Sequence, residues 1–264
     1  MRIGAVSYLN AKPLVYRLAE IARGASLVFD LPSRLADRLA RGDLDVALLP
    51  SVESLTNPDY VVVSDACIAC RGPVLSVKLL SRVPARKIRT LALDEGSRTS
   101  SVLARIFLRQ TFGVEPALES LPIGSGLGET SADAVLLIGD RAIRAPRARI
   151  VAQWDLGDEW FRRTRLPFVF AMWTARGGIA VEAIEPVFRR ARDAGVSHLT
   201  EIARREAAFV GLPEAVCLAY LRDSLHFTMG PEERRGLDLF HRYARDMGLA
   251  AVDRGRDNIG LSVS

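Results

Sequence analysis

Cysteine, histidine and lysine are scarce in this chain of 264 residues, and their scarcity limits the chemistry that it can perform. The three cysteines, Cys67, Cys70 and Cys217, are an odd number in a chain too long to depend on disulfides, which favours a reducing compartment. Cys67 and Cys70 form a CxxC motif, but they lie in a strand-like stretch with no second pair and no histidine nearby. We therefore expect core cysteines and no metal site.

The three histidines, His198, His226 and His241, all fall in the last third of the chain. None shares a segment with a hydroxyl cluster or a carboxylate pair that would suggest a catalytic triad. The glycine-rich segment 124–128 lacks both the Gly-Lys-Ser/Thr ending of a phosphate loop and dinucleotide spacing. An enzyme with this sequence would work without a histidine base or a cofactor, by positioning and hydrogen bonding.

No apolar run reaches the roughly 18 residues that a membrane-spanning helix needs, so no membrane association is expected. The net charge of +5 comes from scattered arginines, with lysine only at Lys12, Lys78 and Lys87. No basic run is interleaved with aromatic residues, so we expect no nucleic-acid partner, although a mild positive field would attract a dianion. Residues 1–6 enter a strand pattern without a signal-like segment before it, and we expect a cytoplasmic protein.

Apolar runs alternate with helical patterns over the first 64 residues in the order of βαβ units, which is typical of a mostly parallel sheet. The pattern predicts strands at 3–6, 27–30, 46–49, 60–63 and 74–77, and helices at 13–22 and 33–41. After Pro84 it predicts strands at 90–93, 117–121, 134–138 and 149–152, and a helix at 100–112. Helix follows helix from Val181 onward, and Leu237, Phe240, Ala244 and Met247 mark an amphipathic last one.

A chain that builds one sheet, crosses to a second and crosses back forms two lobes. We therefore expect an α/β fold in which residues 1–83 and 177–264 form lobe 1 and residues 84–176 form lobe 2. The crossings would lie near 81–85 and 174–178. Small-molecule sites concentrate in clefts of this kind.

Ligands of open sheets bind at the carboxyl ends of strands, so the residues that follow the predicted strands are the candidates. Ser7, Tyr8 and Asn10 follow the first strand, and Ser51 follows the third; in both places a hydroxyl or amide could instead cap the next helix. Two further groups stand at predicted helix starts, where an anion is favoured. They are Ser97, Arg98, Thr99 and Ser100, and the pair Gly139 and Asp140.

Several segments together resemble the chorismate dehydratase family of the futalosine route to menaquinone. The resemblance covers residues 1–175 well and the helical tail loosely, and it is carried by segments 7–14, 49–51, 64–77, 97–100, 134–140 and 160–171. It implies a two-lobed fold of the type II periplasmic-binding-protein kind. It also implies that chorismate is the small-molecule substrate and loses water to give 3-[(1-carboxyvinyl)oxy]benzoate.

In that family the substrate's own enolpyruvyl carboxylate is thought to take the proton, while an asparagine and a serine assist. By position in the motifs these residues would be Asn10 and Ser76, and their individual roles stay open. Ser97, Arg98, Thr99 and Ser100 would face a substrate carboxylate. Three other interpretations remain: a solute-binding protein, the related 1,4-dihydroxy-6-naphthoate synthase, which uses a histidine near its site, and a ligand-sensing regulatory domain.

Overall fold

Two β-sheets with helices packed against them form the protein, and the computed structural model describes residues 1–144 and 150–249. The strands are β1 (Arg2–Val6), β2 (Ser26–Asp30), β3 (Val46–Pro50), β4 (Val61–Cys70), β5 (Val77–Ser81), β6 (Thr90–Asp94), β7 (Ala117–Leu121), β8 (Ala134–Ile138), β9 (Ala152–Asp155), β10 (Phe168–Ala175) and β11 (His226–Thr228). The α-helices are α1 (Lys12–Val15), α2 (Leu18–Ile21), α3 (Pro32–Arg41), α4 (Glu53–Thr56), α5 (Arg98–Phe112), α6 (Asp140–Ile143), α7 (Leu156–Thr164), α8 (Val181–Ser197), α9 (Leu199–Val210), α10 (Glu214–Ala219) and α11 (Pro231–Asp246). In the described ranges, no helix is long and apolar enough to cross a membrane.

Each sheet combines parallel and antiparallel strands. The first sheet has the order β11-β4-β10-β3-β1-β2, and the second has the order β7-β6-β8-β5-β9. In the first, β1 runs parallel to β2 and β3, as the βαβ pattern predicts, while β10 runs antiparallel to both β3 and β4. In the second, β6 is parallel to β7 and β8, whereas β5 is antiparallel to β8 and β9. The expectation of a mostly parallel sheet is therefore wrong outside the βαβ units, because the strands next to the crossings run in the opposite direction.

The strands β5 and β10 lie in the opposite sheets to those expected from the sequence. The chain passes from the first sheet to the second over residues 71–76 and returns over residues 156–167, about one strand before each predicted crossing. The predicted boundaries after residues 83 and 176 therefore assign both strands to the wrong lobe. Both strands are apolar runs, and an apolar run carries no sign of which sheet it joins.

Local backbone conformation explains the smaller differences from the predicted elements. The predicted helix at 13–22 is interrupted because Arg17 takes a left-handed conformation (φ 53°) between α1 and α2. The predicted strand at 149–152 begins outside the described residues, and β9 starts at Ala152. The short strand β11 was not expected, whereas the last helix buries Leu237, Phe240 and Ala244 as its apolar spacing predicts.

An aromatic cluster holds the second crossing in place. Trp160, on α7, lies with its ring centroid 5.1 Å from that of Phe168, 6.3 Å from that of Phe240 and 6.0 Å from that of Tyr243. Its indole N–H donates to the carbonyl oxygen of Pro167 at 3.2 Å, so the polar edge of this buried ring is also satisfied. The return of the chain from the second sheet is therefore fixed by packing against the last helix.

Candidate functional site

A cavity lies between the lobes, where the carboxyl ends of β1, β3 and β8 approach the start of α5. The free space among its lining residues is about 490 Å³, a figure that includes volume open to solvent. The lining is mostly apolar, and its polar groups are an amide, a phenol and three serine hydroxyls. It consists of Val6, Tyr8, Asn10, Pro32, Pro50, Ile68, Val74, Ser76, Val77, Ser97, Ser100, Ile138, Gly139, Phe170 and Ala171. This is the position at which open α/β sheets bind ligands.

The turn after β1 supplies two of these polar groups. It is a short 3₁₀ turn at Leu9–Ala11, and neither that turn nor α1 is capped by a side chain, so the capping interpretation of Ser7 and Asn10 is wrong. Ser7 is exposed and lies outside the cavity. Asn10 reaches the cavity, and its Oδ1 atom is buried with no hydrogen-bond partner among the described residues. A buried acceptor without a donor is costly, so this atom is ready to accept a hydrogen bond from a ligand.

Ser76 stands on the first crossing, just before β5. Its side chain is almost fully buried, and its Oγ accepts a hydrogen bond of 2.8 Å from the phenol of Tyr220. Tyr220 is fully buried at the start of a π-helical turn, Tyr220–Ser224, that follows α10. Burial raises the pKa of Tyr220 above its ordinary value, against the opposing effect of hydrogen bonds with Ser76 and Asn10. One phenol thus lies beside both polar residues that the sequence singles out.

A carboxylate of the second lobe shapes the turn that presents Ser76. Asp155 accepts hydrogen bonds from the backbone N–H of Val74 at 2.9 Å and from that of Leu75 at 2.7 Å. The same carboxylate caps α7 by accepting from the N–H groups of Gly157 and Asp158, each at 3.1 Å. Burial raises the pKa of Asp155, and these backbone hydrogen bonds oppose the rise. The turn before Ser76 is therefore tied to the start of α7.

The start of α5 contributes two serines. Ser97 caps the helix by accepting from the N–H of Ser100 at 3.2 Å, and its hydroxyl donates to the Oγ of Ser100 at 2.9 Å. Both residues also line the cavity. The capping and ligand-binding interpretations of Ser97 are therefore compatible, because the cap stands at the positive end of the helix dipole and faces the cavity.

Arg98 points away from the cavity and joins the lobes. Its guanidinium donates to Oε1 of Glu53 and to Oδ1 of Asp37, both at 2.8 Å. Thr99 accepts from the N–H of Val52 at 3.1 Å and is buried at the same junction. The structure therefore does not bring either predicted carboxylate contact to the cavity, because both side chains have partners on the first lobe.

Ser51 is a third predicted contact with partners of its own. It is fully buried, and its hydroxyl donates to the carbonyl oxygen of Val169 at 2.7 Å and lies 3.4 Å from the Oγ1 of Thr99. Its carbonyl oxygen lies 3.2 Å from Nε2 of His241. Ser51 is absent from the cavity lining, so its polar groups hold β3 to β10 and to α11 instead.

Tyr8 and Asp140 connect the lobes on the other side of the cavity. The Asp140 carboxylate accepts from the N–H of Leu9, with N–O distances of 3.2 and 3.3 Å, and burial raises its pKa. The ring of Tyr8 lies against Gly139, and its hydroxyl lies near Gly96. Burial raises the pKa of Tyr8 to about 12, and the charge of Asp94 adds to the rise. Tyr8 therefore remains a neutral phenol at physiological pH.

Asp94 lies inside the second lobe and stabilises the loops that Tyr8 contacts. It is almost fully buried, and its carboxylate accepts from the N–H of Gly96 at 2.9 Å and from that of Ile138 at 3.2 Å. It also forms an ion pair with Arg141. This carboxylate holds together the two loops between which the Tyr8 side chain lies, although it does not line the cavity.

Six of the eleven predicted site residues meet at the cavity: Tyr8, Asn10, Ser76, Ser97, Ser100 and Gly139. The other five, Ser7, Ser51, Arg98, Thr99 and Asp140, lie outside its lining. The three histidines are also absent from it, since His198 stacks on Tyr16, His226 lies in β11 and His241 contacts Ser51. Sequence reasoning missed Tyr220, Asp155 and Asp94, whose contacts join segments far apart in the chain.

A wider groove on the outer face of lobe 1, beside α8 and β11, has fewer features of a binding site. It is more open to solvent, and the three arginines that line it already have carboxylate partners. Arg71 pairs with Glu232 and Glu233, Arg192 pairs with Asp65 and Asp193, and Arg222 pairs with Asp223. The cavity between the lobes is therefore the candidate functional site.

Solved structures with a similar fold include binding proteins of two lobes. A crystal structure of a protein from Archaeoglobus fulgidus matches with a TM-score of 0.74 at 17% identity, covering 94% of this chain and 97% of that one. The periplasmic aliphatic sulphonate binding protein of Escherichia coli matches with a TM-score of 0.63 at 15% identity, covering 100% of this chain and 95% of that one. The fold is therefore the periplasmic-binding-protein type that the sequence resemblance implies.

Sequence similarity over nearly the whole chain identifies the family more specifically than the shared fold does. A chorismate dehydratase of Thermus thermophilus is 32% identical over an alignment of 257 residues that covers 90% of this chain and 93% of that protein. Residues 1–246 match the protein family described as menaquinone biosynthesis. That match includes both lobes and every residue of the cavity lining. The chain therefore belongs to the menaquinone biosynthesis family.

Proposed function

We propose that this protein is a chorismate dehydratase that acts in menaquinone biosynthesis, in the cytoplasm. The observation that carries the proposal is the cavity between the lobes, where Asn10 and Ser76 stand among apolar walls. The membership of the family and the 32% identical chorismate dehydratase support it. The reaction is the conversion of chorismate to 3-[(1-carboxyvinyl)oxy]benzoate and water, which is a carbon–oxygen lyase reaction.

The reaction breaks two bonds on the chorismate ring and forms one. The ring carbon that carries the enolpyruvyl ether loses its proton, and the neighbouring carbon loses its hydroxyl group with the electrons of the C–O bond. A double bond forms between the two carbons and completes an aromatic ring, while the proton and the hydroxide leave as water. The proton is vinylogous to the ring carboxylate, so negative charge that develops at the carbon delocalises, and aromatisation drives the reaction.

The lining of the cavity fits a reaction in which the substrate brings its own base. Its polar side chains, in the part of the chain that the structure describes, are asparagine, tyrosine and serine, and none of them is a carboxylate, a histidine or a lysine. The pKa of Tyr8 is raised to about 12, so this phenol is not a base at neutral pH. The enolpyruvyl carboxylate is covalently attached beside the reacting carbon, which gives it the proximity that a protein base would otherwise provide.

Asn10 and Ser76 then form hydrogen bonds with the hydroxyl group that leaves and with the region where negative charge develops. In this proposal the unpartnered Oδ1 of Asn10 orients the ring hydroxyl of chorismate by accepting its proton before the reaction, and the amide N–H of Asn10 donates to the oxygen as it departs. The hydroxyl of Ser76, which also lines the cavity, donates to the reacting region. A hydrogen-bond donor aimed at developing charge in a site without bulk water contributes about 10²- to 10³-fold in rate.

The start of α5 is the proposed position of a substrate carboxylate. Ser97 and Ser100 line the cavity there, and the positive end of the α5 dipole favours an anion. Val6, Ile68 and Phe170 provide apolar surface for the two faces of the ring. Such a site binds a dianion by hydroxyl and backbone groups, with the cationic side chain of Arg98 engaged elsewhere.

The direct test is incubation of the purified protein with chorismate, followed by chromatography with ultraviolet detection of the aromatic product. We expect turnover after dialysis against a chelator and without added nucleotide or reductant. Asn10→Ala and Ser76→Ala should each lower kcat by about 10²-fold or more while the melting temperature stays close to that of the wild type.

Two surface substitutions of the same residue types serve as controls. Asn57→Ala and Ser197→Ala lie outside the cavity lining and should leave kcat unchanged. Binding of chorismate without turnover would instead support a solute-binding protein. Wild-type rates in both cavity variants would refute the assignment of Asn10 and Ser76.

A further inference from the structure

Tyr220 lies behind the candidate site, and its phenol is hydrogen-bonded to Ser76. The residue is 0% exposed, and its phenol donates to the Oγ of Ser76 at 2.8 Å, across a separation of 144 residues in the sequence. It is not part of the cavity lining, so it does not touch a molecule bound there. Resting on the proposed function, we propose that Tyr220 is a positioning residue that fixes the direction in which Ser76 donates its hydroxyl proton.

The hydroxyl of Ser76 can both donate and accept hydrogen bonds. A hydroxyl group has one proton to donate and two lone pairs that can accept. Tyr220 occupies one lone pair of Ser76, and no described residue accepts the proton of Ser76. Because Ser76 lines the cavity, the open direction for that proton is toward the substrate. The phenol thereby makes Ser76 a donor to the reacting group.

The donor role of Tyr220 persists over a wide pH range. Burial raises the pKa of its phenol above the ordinary value of a tyrosine, so the O–H is present at neutral and moderately alkaline pH. A phenolate would reverse the hydrogen bond, because it could only accept from Ser76 and would take the proton away from the substrate. The apolar surroundings of Tyr220 therefore preserve the direction of the hydrogen bond.

The local backbone fits this role. Tyr220 begins a π-helical turn that follows α10, and turns of this type often occur at functional sites. The phenol also lies within hydrogen-bonding range of Asn10. One buried side chain thus lies beside both proposed catalytic residues, which come from two segments that are far apart in the sequence.

The first test is Tyr220→Phe, which removes the phenol oxygen and keeps the ring. We expect kcat for chorismate to fall about 10-fold or more while KM changes by less than about threefold, because the lost interaction acts on the transition state. Tyr16→Phe is the matched control, since it removes a phenol that donates to Glu201 at 3.0 Å, outside the cavity. A kcat equal to that of the wild type in Tyr220→Phe would overturn the proposal.

A double-mutant cycle with Ser76→Ala separates positioning from a merely structural effect. If Tyr220 acts through Ser76, the double variant should be as slow as Ser76→Ala alone, within about twofold. Multiplication of the two single effects would overturn the proposal even though the wild type dehydrates chorismate. Failure of the wild type to dehydrate chorismate would instead refute the proposed function, so the two failures are distinguishable.

If Tyr220→Phe does not fold, a fluorinated tyrosine at position 220 provides a second test of the hydrogen bond to Ser76. Fluorine lowers the phenol pKa and preserves the shape of the side chain. We expect the alkaline decline of kcat to move to lower pH than in the wild type, because loss of the phenol proton reverses the hydrogen bond to Ser76. An unchanged pH profile with a folded protein would overturn the proposal.

Discussion

The ring of Tyr8 occupies the space that any side chain at position 139 would need. A Cβ atom on Gly139 would lie 3.1 Å from two carbons of that ring, and the backbone there has φ 70° and ψ −159°. This backbone region is essentially restricted to glycine. Because Tyr8 belongs to the first lobe and Gly139 to the second, their contact is one between the lobes.

Gly139→Ala should therefore impair both stability and catalysis. The backbone strain costs of order 1–3 kcal/mol of unfolding free energy, and the crowding of Tyr8 opposes lobe closure. We expect kcat/KM to fall by about 10-fold or more. Gly113→Ala is the control, because Gly113 also has a positive φ of 68° but has no atom within 4 Å of the added carbon. It should lower the melting temperature yet leave kcat/KM unchanged, and equal losses of kcat/KM in both variants would contradict the contact argument.

The raised pKa of Tyr8 predicts a specific dependence of stability on alkaline pH. Its value of about 12 in the folded protein exceeds the ordinary value of 10.0. The stability linked to this phenol is therefore fully present below pH 10 and is lost as the pH rises through about 12. Thermal unfolding of the wild type and of Tyr8→Phe, followed by circular dichroism, should show parallel pH dependence below pH 10. Above it the wild type should lose stability more steeply, and parallel curves throughout would contradict a buried phenol.

The alternation of strand and helix was sufficient to predict most elements near the cavity, because each buries a simple periodic face. The predicted strands at 117–121 and 134–138 match β7 and β8 residue for residue, and α5 begins only two residues before its predicted start. The periodicity does not indicate which sheet β5 and β10 join. That choice depends on pairing with strands far along the chain, such as β5 with β9.

The same limit applies to the predicted contacts of the candidate site. A hydroxyl-rich helix start predicts an anion site, and of the residues at this helix start Ser97 and Ser100 line the cavity. The neighbouring Arg98 has the same local signal, but two carboxylates of the other lobe lie on its side of the helix. The hydrogen bond between Tyr220 and Ser76 spans 144 residues, and no local pattern marks it.

Arg98→Gln distinguishes a contact between lobes from a contact with the substrate. The substitution removes a charge-assisted hydrogen bond from the carboxylate of Glu53, whose side chain is only 4% exposed and which still accepts from Thr56. We expect a loss of about 1.5–3 kcal/mol of unfolding free energy, the usual contribution of a hydrogen bond to a charged group. Arg162→Gln removes ion pairs on the exposed surface of α7 and should change the unfolding free energy by less than about 0.5 kcal/mol. Unchanged stability in Arg98→Gln together with a large rise in KM would restore Arg98 as a substrate contact.

Asp155→Ala tests whether the turn before Ser76 is held from α7. The substitution removes the acceptor of the Val74 and Leu75 N–H groups and the cap of α7, so we expect about 1–2 kcal/mol lower stability. We also expect kcat to fall about 10-fold, because Leu75 has a left-handed conformation (φ 61°) that the two hydrogen bonds hold beside Ser76. Asp158→Ala is the matched control, since Asp158 lies in the first turn of the same helix and its carboxylate pairs only with Arg162, at 3.9 Å, among the described contacts. If both variants retain the kcat of the wild type, the position of Ser76 does not depend on Asp155, and β5 alone determines it.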